Sequence, residues 1–443
     1  MNFKEDFAWG VATSSYQIEG GNLEDGRGRN IWDDFCKFPD KVYKNHDGLI
    51  ACDHIHKFKE DVKRMKEIGI KAYRFSISWP RLIPNGTGKI NENGIKFYHD
   101  LIDELIKNNI EPYITLFHWD LPIELHKIGG WLNPNIVDYF EEYTKLVVKE
   151  YSSKVKYFMT LNEPQCFCGL GYISGIHAPG LKLNHKDSLT VIHNALKAHG
   201  IAVKTIRENA KGPVSIGIAP NSSPSIPTGN TEIEIEKARE DYFRIPELNE
   251  NYYFCASLFM DPIFLGDYPK DYYIKYKEFL PEITKEDLEL ISQPIDFLGQ
   301  NIYSGNKVQP LINNEEHTDL NWEIVPEALY WGPKFLYERY NKPIYITENG
   351  MANGDIISLD GKVHDPQRID YLNRYLLQLK KAIEEGIDIK GYFLWSLLDN
   401  FEWAEGYRPR FGIVYVDYKT QNRILKDSAY WYKSIIESNG KKL

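Results

Sequence analysis

Two glutamates stand at the ends of short apolar runs, in positions that favour chemistry needing a pair of carboxyl groups. Glu348 follows the β-branched and aromatic run 345–347 and precedes Asn-Gly, which predicts a strand that ends in a turn. Glu163 ends the run 157–162 and precedes Pro164, which cannot donate a hydrogen bond to a continuing strand. Side chains at the carboxyl ends of parallel barrel strands share one site. We therefore expect Glu163 and Glu348 to face each other, although they are far apart in the sequence.

A pair of carboxyl groups among neutral polar and aromatic side chains is typical of a site that cleaves acetals. One group must hold a proton for the leaving oxygen, and the other must be ionised to attack or to activate water. Arg74 and Tyr303, at the ends of two other predicted strands, would keep Glu348 ionised. Glu163, beside Asn162 and backed by apolar groups, would be the carboxyl group that retains its proton.

The elements that must position these residues alternate between strand and helix. One amphipathic stretch, for example, has apolar residues at spacings of three and four from Ile55 to Ile68 and ends at Gly69. The predicted strands cover residues 7–12, 72–78, 113–117, 157–162, 214–219, 297–303, 345–349 and 391–396. This order predicts parallel pairing and the α/β class, with a single (β/α)8 TIM barrel domain over residues 1–443. The segment 221–249 would be a long loop after the fifth strand, and its acidic run 232–240 would be a solvated helix face.

The predicted strand ends surround the two glutamates with hydrogen-bonding groups and flat aromatic surface. Sugars present hydroxyl groups at their rims and apolar faces, so such a set can bind them. The set comprises Gln17, Arg74, His118, Trp119, Asn162, Glu163, Asn301, Tyr303, Glu348 and Trp395, with Glu402 and Trp403 in the loop beyond. It contains no metal-ligand cluster, no Ser-His-acid set and no glycine-rich phosphate loop, so we expect neither a cofactor nor a metal.

The composition of the chain indicates which binding partners and which cellular compartment to expect. The net charge of −10 argues against binding to nucleic acid or to an anionic membrane, since both favour a basic face. The start of the chain has no apolar signal segment, and no run approaches the length of a membrane span. Five cysteines, an odd number, fit reduced thiols in the cytoplasm, where we expect the protein. His54 and His56 open an amphipathic helix and are expected to be solvated rather than metal-binding.

Two stretches resemble the signatures of glycoside hydrolase family 1, the retaining β-glucosidases. They are residues 160–164 (TLNEP) and 346–350 (ITENG). Five further stretches resemble motifs of the same family, in the same order: 7–20 (FAWGVATSSYQIEG), 74–81 (RFSISWPR), 118–122 (HWDLP), 177–180 (HAPG) and 395–403 (WSLLDNFEW). The similarity extends over nearly the whole chain.

The resemblance implies a role for each site residue. Glu163 would be the acid/base, and Glu348 the nucleophile that forms a glycosyl-enzyme intermediate across a gap of about 5 Å. Asn162 would bind the sugar 2-hydroxyl, while Arg74 and Tyr303, supported by Asn301, would position Glu348. The remaining implied sugar contacts are Gln17, His118, Trp119, Glu402 and Trp403 for the hydroxyls, Trp395 as a stacking floor, and Trp322 beside the leaving group. Many relatives place a Trp where this chain has residues 165–168 (QCFC), which leaves the leaving-group preference open.

The function that this resemblance implies is exo-acting, retaining hydrolysis of small β-glucosides or β-linked oligosaccharides such as cellobiose. A 6-phospho-β-glucosidase is an alternative, but its phosphate site resembles a variant that has lost the acidic residue found here as Glu402. That carboxylate would repel a phosphate at close range. A non-catalytic sugar-binding barrel is a further alternative, disfavoured because both carboxyl groups are kept. The sequence does not decide whether the terminal sugar is glucose, galactose or fucose. It also leaves open whether the protein is a monomer or a homo-oligomer.

Overall fold

Eight parallel strands form a closed barrel in the computed structural model, which describes residues 3–307 and 316–443. The barrel strands are β1 Ala8–Ala12, β2 Ala72–Ser76, β3 Glu111–Phe117, β4 Tyr157–Asn162, β5 Ser215–Ala219, β6 Phe297–Ile302, β7 Ile344–Asn349 and β8 Ile389–Trp395. Each strand pairs with the next along the chain. The barrel closes where β1 pairs with β8, from Ala8 opposite Gly391 to Ala12 opposite Trp395. The eight strands predicted from the sequence are confirmed, with their ends displaced by at most two residues.

Helices connect the strands and cover the outside of the barrel. The longer ones are α1 His54–Ile68, α2 Glu92–Lys107, α3 Ile136–Tyr151, α4 His185–Asn209, α5 Glu232–Phe243, α6 Ala256–Phe264, α7 Lys285–Ile291, α8 Ala328–Tyr340, α9 Pro366–Glu384 and α10 Asp427–Glu437. Shorter helical segments are Ser15–Ile18, Ile31–Phe35, Tyr43–Asn45, Trp79–Leu82, Ile123–Lys127, Gly130–Leu132, Pro164–Cys168, Gly169–Ile173, Tyr252–Phe254, Lys270–Lys275 and Trp403–Glu405. Helix α1 ends as the sequence predicts, because Gly69 adopts a left-handed conformation with φ 85°. This alternation is the (β/α)8 fold expected from the sequence.

Aromatic side chains fill the lower half of the barrel, near the amino-terminal ends of the strands. Tyr113 of β3 stacks on Tyr157 of β4 with 4.1 Å between ring centroids. Phe393 of β8 and Tyr345 of β7 pack against the same Tyr113 ring. These rings close the barrel interior at this end, so a site that reaches into the barrel opens at the carboxyl-terminal ends of the strands.

The long connection after β5 folds over the carboxyl-terminal face of the barrel. Its residues Asn221–Ser222 pair with the end of β6, and Ser225–Ile226 pair with Asn306–Lys307. Helix α5 then begins with a capping box between Thr231 and Glu234. Most of its acidic residues are exposed, as predicted for a solvated helix face.

The sequence predicts that His54 and His56 are solvated, and only one of these two predictions is confirmed. His54 is buried rather than solvated, because its Nδ1 lies 2.8 Å from Oδ2 of the buried Asp61, which also accepts from Arg423. His56 is exposed as expected. In the described ranges, no group of three or more His, Cys, Asp and Glu side chains could hold a metal ion.

All five cysteines are buried and none forms a disulfide. Among the helices of residues 3–307 and 316–443, none is long and apolar enough to cross a bilayer.

Candidate active site

A cavity of about 820 Å³ opens at the carboxyl-terminal ends of the barrel strands. Ten of the residues predicted to form the site line it: His118, Trp119, Asn162, Glu163, Tyr303, Trp322, Glu348, Trp395, Glu402 and Trp403. The other three, Gln17, Arg74 and Asn301, are buried directly behind its wall. The barrel thus brings together side chains from both ends of the chain, as the strand order requires.

Glu348 is held by two donors at the end of β7. Arg74 donates from Nη1 to Glu348 Oε1 at 2.6 Å, and the Tyr303 hydroxyl donates to Oε2 at 2.7 Å. The guanidinium is itself fixed, because its Nε donates to Thr115 Oγ1 and its Nη2 to Asn162 Oδ1. Both carboxylate oxygens therefore have donors, which fixes the orientation of the group.

Glu163 occupies a sharp turn between β4 and the short helix Pro164–Cys168. Its backbone is left-handed, with φ 43° and ψ 66°, and Pro164 occupies the first helical position. Its Oε1 accepts from the amide of Asn301 at 2.9 Å and from that of Asn221 at 3.4 Å. The ordered partners of this carboxyl group include neutral amides, whereas Glu348 is paired with a guanidinium.

One continuous hydrogen-bond network joins the two carboxyl groups. Asn301 donates both to Glu163 and to Oδ1 of Asn162, at 2.9 and 3.0 Å. The same Asn162 oxygen accepts from Arg74, which contacts Glu348. The two carboxyl groups are therefore joined through the side chains of Asn301, Asn162 and Arg74, which hold them in a fixed arrangement.

The electrostatics of Glu348 differ from the sequence-based expectation. The predicted contacts with Arg74 and Tyr303 are present, and both favour the ionised form. Burial nevertheless outweighs them and, together with the charge of Glu163, raises the pKa of Glu348 to about 7. Burial likewise raises the pKa of Glu402 to about 8, with further contributions from Glu348 and Glu163. Glu348 and Glu402 therefore hold protons well above the pH at which carboxyl groups ordinarily ionise.

His118 is a neutral member of the cavity wall. Burial lowers its pKa well below the usual value, and Arg74 adds to this effect. Since Asn162 uses its oxygen for Arg74 and Asn301, its Nδ2 must donate to His118 Nε2, at 3.0 Å. This assigns the imidazole proton to Nδ1, which is buried and has no hydrogen-bond partner among the described residues.

Aromatic rings form the walls of the cavity. Trp403 packs against Trp119 with 4.6 Å between centroids, and the Trp119 indole N–H donates to the carbonyl oxygen of Asn162 at 3.0 Å. The rings of Trp395 and Trp403 each lie nearly parallel to His118. Trp322 stands at the mouth, 38% exposed, and meets the Tyr303 ring edge-on. The cavity therefore offers flat apolar surface beside its polar groups, as sugar binding requires.

Comparison with known proteins agrees with this geometry. The model of glycosyl hydrolase family 1 matches residues 1–441 of the chain. The chain belongs to this family. A 1,4-beta-D-glucan glucohydrolase of Thermotoga neapolitana is 48% identical over 99% of both chains, and beta-glucosidase A of Acetivibrio thermocellus is 46% identical over 99% of both. A solved structure of a beta-glucosidase from Thermotoga maritima in complex with glucoimidazole matches over 99% of each chain, with 46% identity and a TM-score of 0.92.

The resemblance noted in the sequence is thereby confirmed, and this family 1 chain is a glycoside hydrolase. Its Gln17 does not line the cavity, unlike most of the predicted sugar contacts. The Gln17 amide accepts from Ser14 and donates to Asn400 and to Oε2 of Glu402, at 2.6, 3.0 and 3.2 Å. In this family 1 site it therefore supports the Glu402 carboxyl group from behind.

Three polar residues that the sequence did not identify contact the predicted residues of this family 1 site. Asn221 contacts Glu163, Thr115 accepts from Arg74, and Thr347 donates to Asn301 Oδ1 at 2.6 Å. Asn221 follows β5, whose carboxyl end was not included among the predicted strand ends. Thr115 and Thr347 lie within strands, and the alternation of side chains along a strand is the signal that could have identified them.

Proposed function

We propose that this family 1 enzyme is a retaining β-glucosidase that removes the terminal, non-reducing β-D-glucosyl residue of small β-glycosides and β-linked oligosaccharides. The observation that carries the proposal is the pair Glu163 and Glu348 in one cavity, at the two ends of a single hydrogen-bond network. Two carboxyl groups in different surroundings are what double displacement at an acetal needs.

In the first step Glu348 acts as the nucleophile. Its oxygen forms a bond to the anomeric carbon while the bond from that carbon to the leaving oxygen breaks. Glu163 transfers its proton to the leaving oxygen, so the aglycone departs as a neutral alcohol. Arg74 and Tyr303 aim the nucleophile and stabilise its charge in the free enzyme.

In the second step a water molecule takes the place of the aglycone. Glu163, now ionised, accepts a proton from the water, whose oxygen attacks the anomeric carbon and releases Glu348. Two inversions leave the sugar with its original anomeric configuration. A separation of about 5 Å between the two carboxyl groups is part of this proposal.

The remaining residues are proposed to bind the terminal sugar. His118, Glu402 and Trp403 would hold its hydroxyl groups over Trp395, with Gln17 and Asn301 in support. Trp119, whose N–H donates to the Asn162 carbonyl oxygen, would contact the sugar through its ring. Asn162 would hold the 2-hydroxyl. Trp322 at the mouth would flank the leaving group, since its ring is open to the cavity.

Replacing the nucleophile with glycine tests the central assignment. Glu348→Gly should lower hydrolysis of nitrophenyl β-glucoside by about four orders of magnitude, because no covalent intermediate can form. The variant should still join α-glucosyl fluoride to an acceptor sugar, since the fluoride fits the space left by the side chain. Glu348→Gln is the matched control, equally inactive in hydrolysis but without that space. Turnover of Glu348→Gly at the wild-type rate would refute the proposal.

The phosphorylated alternative can be tested directly. Among the described residues that line the cavity there is no lysine or arginine, while Glu163, Glu348 and Glu402 are all present. A phosphate beside them would meet like charges without a counter-charge. We expect kcat/KM for nitrophenyl glucoside 6-phosphate to be at least about 100-fold lower than for nitrophenyl glucoside. The opposite order would favour a phospho-glucosidase.

A cytoplasmic location is also part of the proposal. It is supported by the five buried thiols, an odd number that suits a reducing compartment.

A further inference from the structure

Gln165, two residues after Glu163, contacts the connection after β5 with both ends of its amide. Its Nε2 donates to the carbonyl oxygen of Asn221 at 3.0 Å, and its Oε1 accepts from the backbone N–H of Asn221 at 3.2 Å. The Gln165 side chain is fully buried and lies behind the wall of the catalytic cavity rather than in it. Its two hydrogen bonds therefore fix a single residue, Asn221.

The backbone of Asn221 needs this partner. Asn221 lies opposite Asn301 in the short pairing with the end of β6. The hydrogen bond of that pairing runs from the N–H of Asn301 to the carbonyl oxygen of Pro220, at 3.1 Å. The N–H and carbonyl groups of Asn221 point away from β6 and must be paired elsewhere. Gln165 satisfies both, so losing its amide would leave two backbone groups unpaired and release this segment.

The side chain of Asn221 reaches the proposed proton donor from this fixed position. Its Nδ2 donates to Glu163 Oε1 at 3.4 Å, and Asn301 donates to the same oxygen at 2.9 Å. The orientation of the second amide is determined by the network. Because Arg74 can only donate, its contact on Asn162 is an oxygen, and the Asn301 atom beside that oxygen must be the nitrogen. Two amide donors thus converge on one carboxyl oxygen.

Two donors on Oε1 favour the form of Glu163 in which this oxygen carries no proton, so the transferable proton is on Oε2. When the Oε2–H bond breaks, its electron pair stays on the carboxyl group and the proton bonds to the leaving oxygen. The leaving oxygen keeps the electron pair of its bond to the anomeric carbon. The negative charge that develops on Glu163 strengthens both amide hydrogen bonds, so they stabilise the transition state more than the ground state.

We propose that Gln165 is a positioning residue for the acid/base, because it holds Asn221 where its amide and that of Asn301 assign the transferable proton to Oε2 of Glu163. Gln165 does not touch the substrate, and Asn221 is the residue through which it acts. This inference rests on the proposed function, since it concerns the proton transfer of the same reaction.

Leaving-group dependence tests the proposal. Gln165→Met keeps the size of the side chain but loses both amide hydrogen bonds. The ratio of kcat/KM for dinitrophenyl glucoside to kcat/KM for a simple alkyl glucoside should rise about tenfold in this variant, because only the alkyl group needs the proton. Asn221→Ala should raise the ratio by a similar factor. The double variant Gln165→Met/Asn221→Ala should raise it no further than Asn221→Ala alone, since one residue acts through the other.

Gln300→Met is the matched control. Gln300 is also fully buried and precedes Asn301 in β6, but its amide contacts Sδ of Met260 in α6 at 3.8 Å. The same substitution there removes a buried amide without touching Asn221 or Glu163, so the ratio should stay at the wild-type value. A tenfold rise in Gln300→Met would show that the ratio reports general disturbance of the barrel, and would overturn the inference.

The other outcomes separate this inference from the proposed function. An unchanged ratio in Gln165→Met or in Asn221→Ala would overturn it, and so would multiplicative effects in the double variant. Equal losses on both substrates in Gln165→Met would show a purely structural role. If Gln165→Met does not fold, as judged by its Tm, Asn221→Ala decides alone, because Gln165 acts only through Asn221. Failure of the wild type to hydrolyse nitrophenyl glucoside would instead refute the β-glucosidase proposal.

Discussion

The ionisation of Glu348 should control the acid side of the pH profile. A nucleophile must be ionised, and burial beside Glu163 raises the pKa of Glu348 to about 7. As the pH falls through that value the group becomes protonated, so kcat/KM for nitrophenyl glucoside should drop about tenfold per pH unit below pH 6. Arg74→Met should move this limb to higher pH, because a charge that lowers the pKa is lost. The matched variant Arg74→Lys should move it less, and an acid limb centred below pH 5 in the wild type would contradict the assignment.

The role of Glu163 as proton donor predicts a dependence on the leaving group. Glu163→Gln cannot protonate the departing oxygen, a contribution of about 10²–10⁴-fold in rate. A dinitrophenyl group needs no proton, so its release should be nearly normal while release of a simple alkyl alcohol is lost. The ratio of the two kcat/KM values should therefore rise at least about 100-fold. Glu402→Gln serves as control and should affect both substrates alike; a similar loss on both substrates in Glu163→Gln would remove Glu163 from this role.

For individual residues, the sequence predicted which side chains are in contact in the site, but it did not predict the pKa values of the carboxyl groups. Tyr303 and Glu348 lie at strand ends and Arg74 lies within β2, so the barrel order together with the alternation of side chains along a strand brings them together. The pKa of Glu348 depends on how deeply it is buried and on how close Glu163 approaches, and both are properties of the folded cavity. The position of Gln17 behind Glu402 likewise depends on side-chain packing that no motif encodes.

At the scale of elements, a buried charge network anchors the loop that follows β8. Lys426 donates to Asp399 at 2.6 Å and to Asp355 at 2.5 Å, and Arg410 donates to Asp399 at 2.5 Å. Asp399 precedes Glu402 in the same loop. The network therefore links α10 and the preceding hairpin, Val414–Asp417 with Asn422–Leu425, to a wall of the active site.

Removing Lys426, one of the cations of this network, should destabilise the fold. In Lys426→Met, Asp355 keeps only Arg368 and Asp399 keeps only Arg410 as a cationic partner, and the loss of a buried partner costs about 3–5 kcal/mol. The free energy of unfolding in urea measures this loss. Lys433→Met on the same helix is the control, because Lys433 is partly exposed and forms only a weak pair with Glu437. A change below about 1 kcal/mol for Lys426→Met would show that the network does not stabilise the loop.

The barrel strands were predicted from the sequence more completely than the helices of the long connection after β5, for a physical reason. The barrel strands are buried on both faces and read as short apolar runs, each ended by a turn residue. Helix α5 lacks such a signal because only Ala238 and Tyr242 of its residues are buried. Helices α6 and α7, in the same long connection, were not assigned from the sequence, because packing against α4 and not their own periodicity determines them.

At the scale of the whole molecule, charge should discriminate among leaving groups. The protein carries a net charge of −10, and no lysine or arginine lines the cavity within the described residues. A 4-carboxyphenyl glucoside should therefore have a kcat/KM about three- to tenfold below that of the neutral 4-carbamoylphenyl glucoside at low salt. The difference should shrink as salt is added, since screening weakens the repulsion. Equal kcat/KM values for the two glucosides at all ionic strengths would show that the charge of the leaving group does not affect binding at the cavity mouth.

We propose that residues 1–443 form one domain, as the sequence predicts. One cluster of buried apolar side chains extends from Phe3 before β1 to Ile436 in α10. Because both ends of the chain contribute to it, truncation at either end would expose core surface.

The left-handed backbone of three cavity residues has a consequence for the evolution of this chain. Trp119, Glu163 and Trp403 have φ values of 76°, 43° and 49°, which cost about 1–2 kcal/mol each for residues other than glycine. A library screened only for survival of heating should therefore accumulate glycine or asparagine at Glu163 and become progressively inert, whereas the buried rings of Trp119 and Trp403 should persist because their packing contributes about 3–5 kcal/mol each. Heat resistance and turnover are in competition at the turn that presents Glu163, and ancestors or descendants freed from catalysis should show it there first.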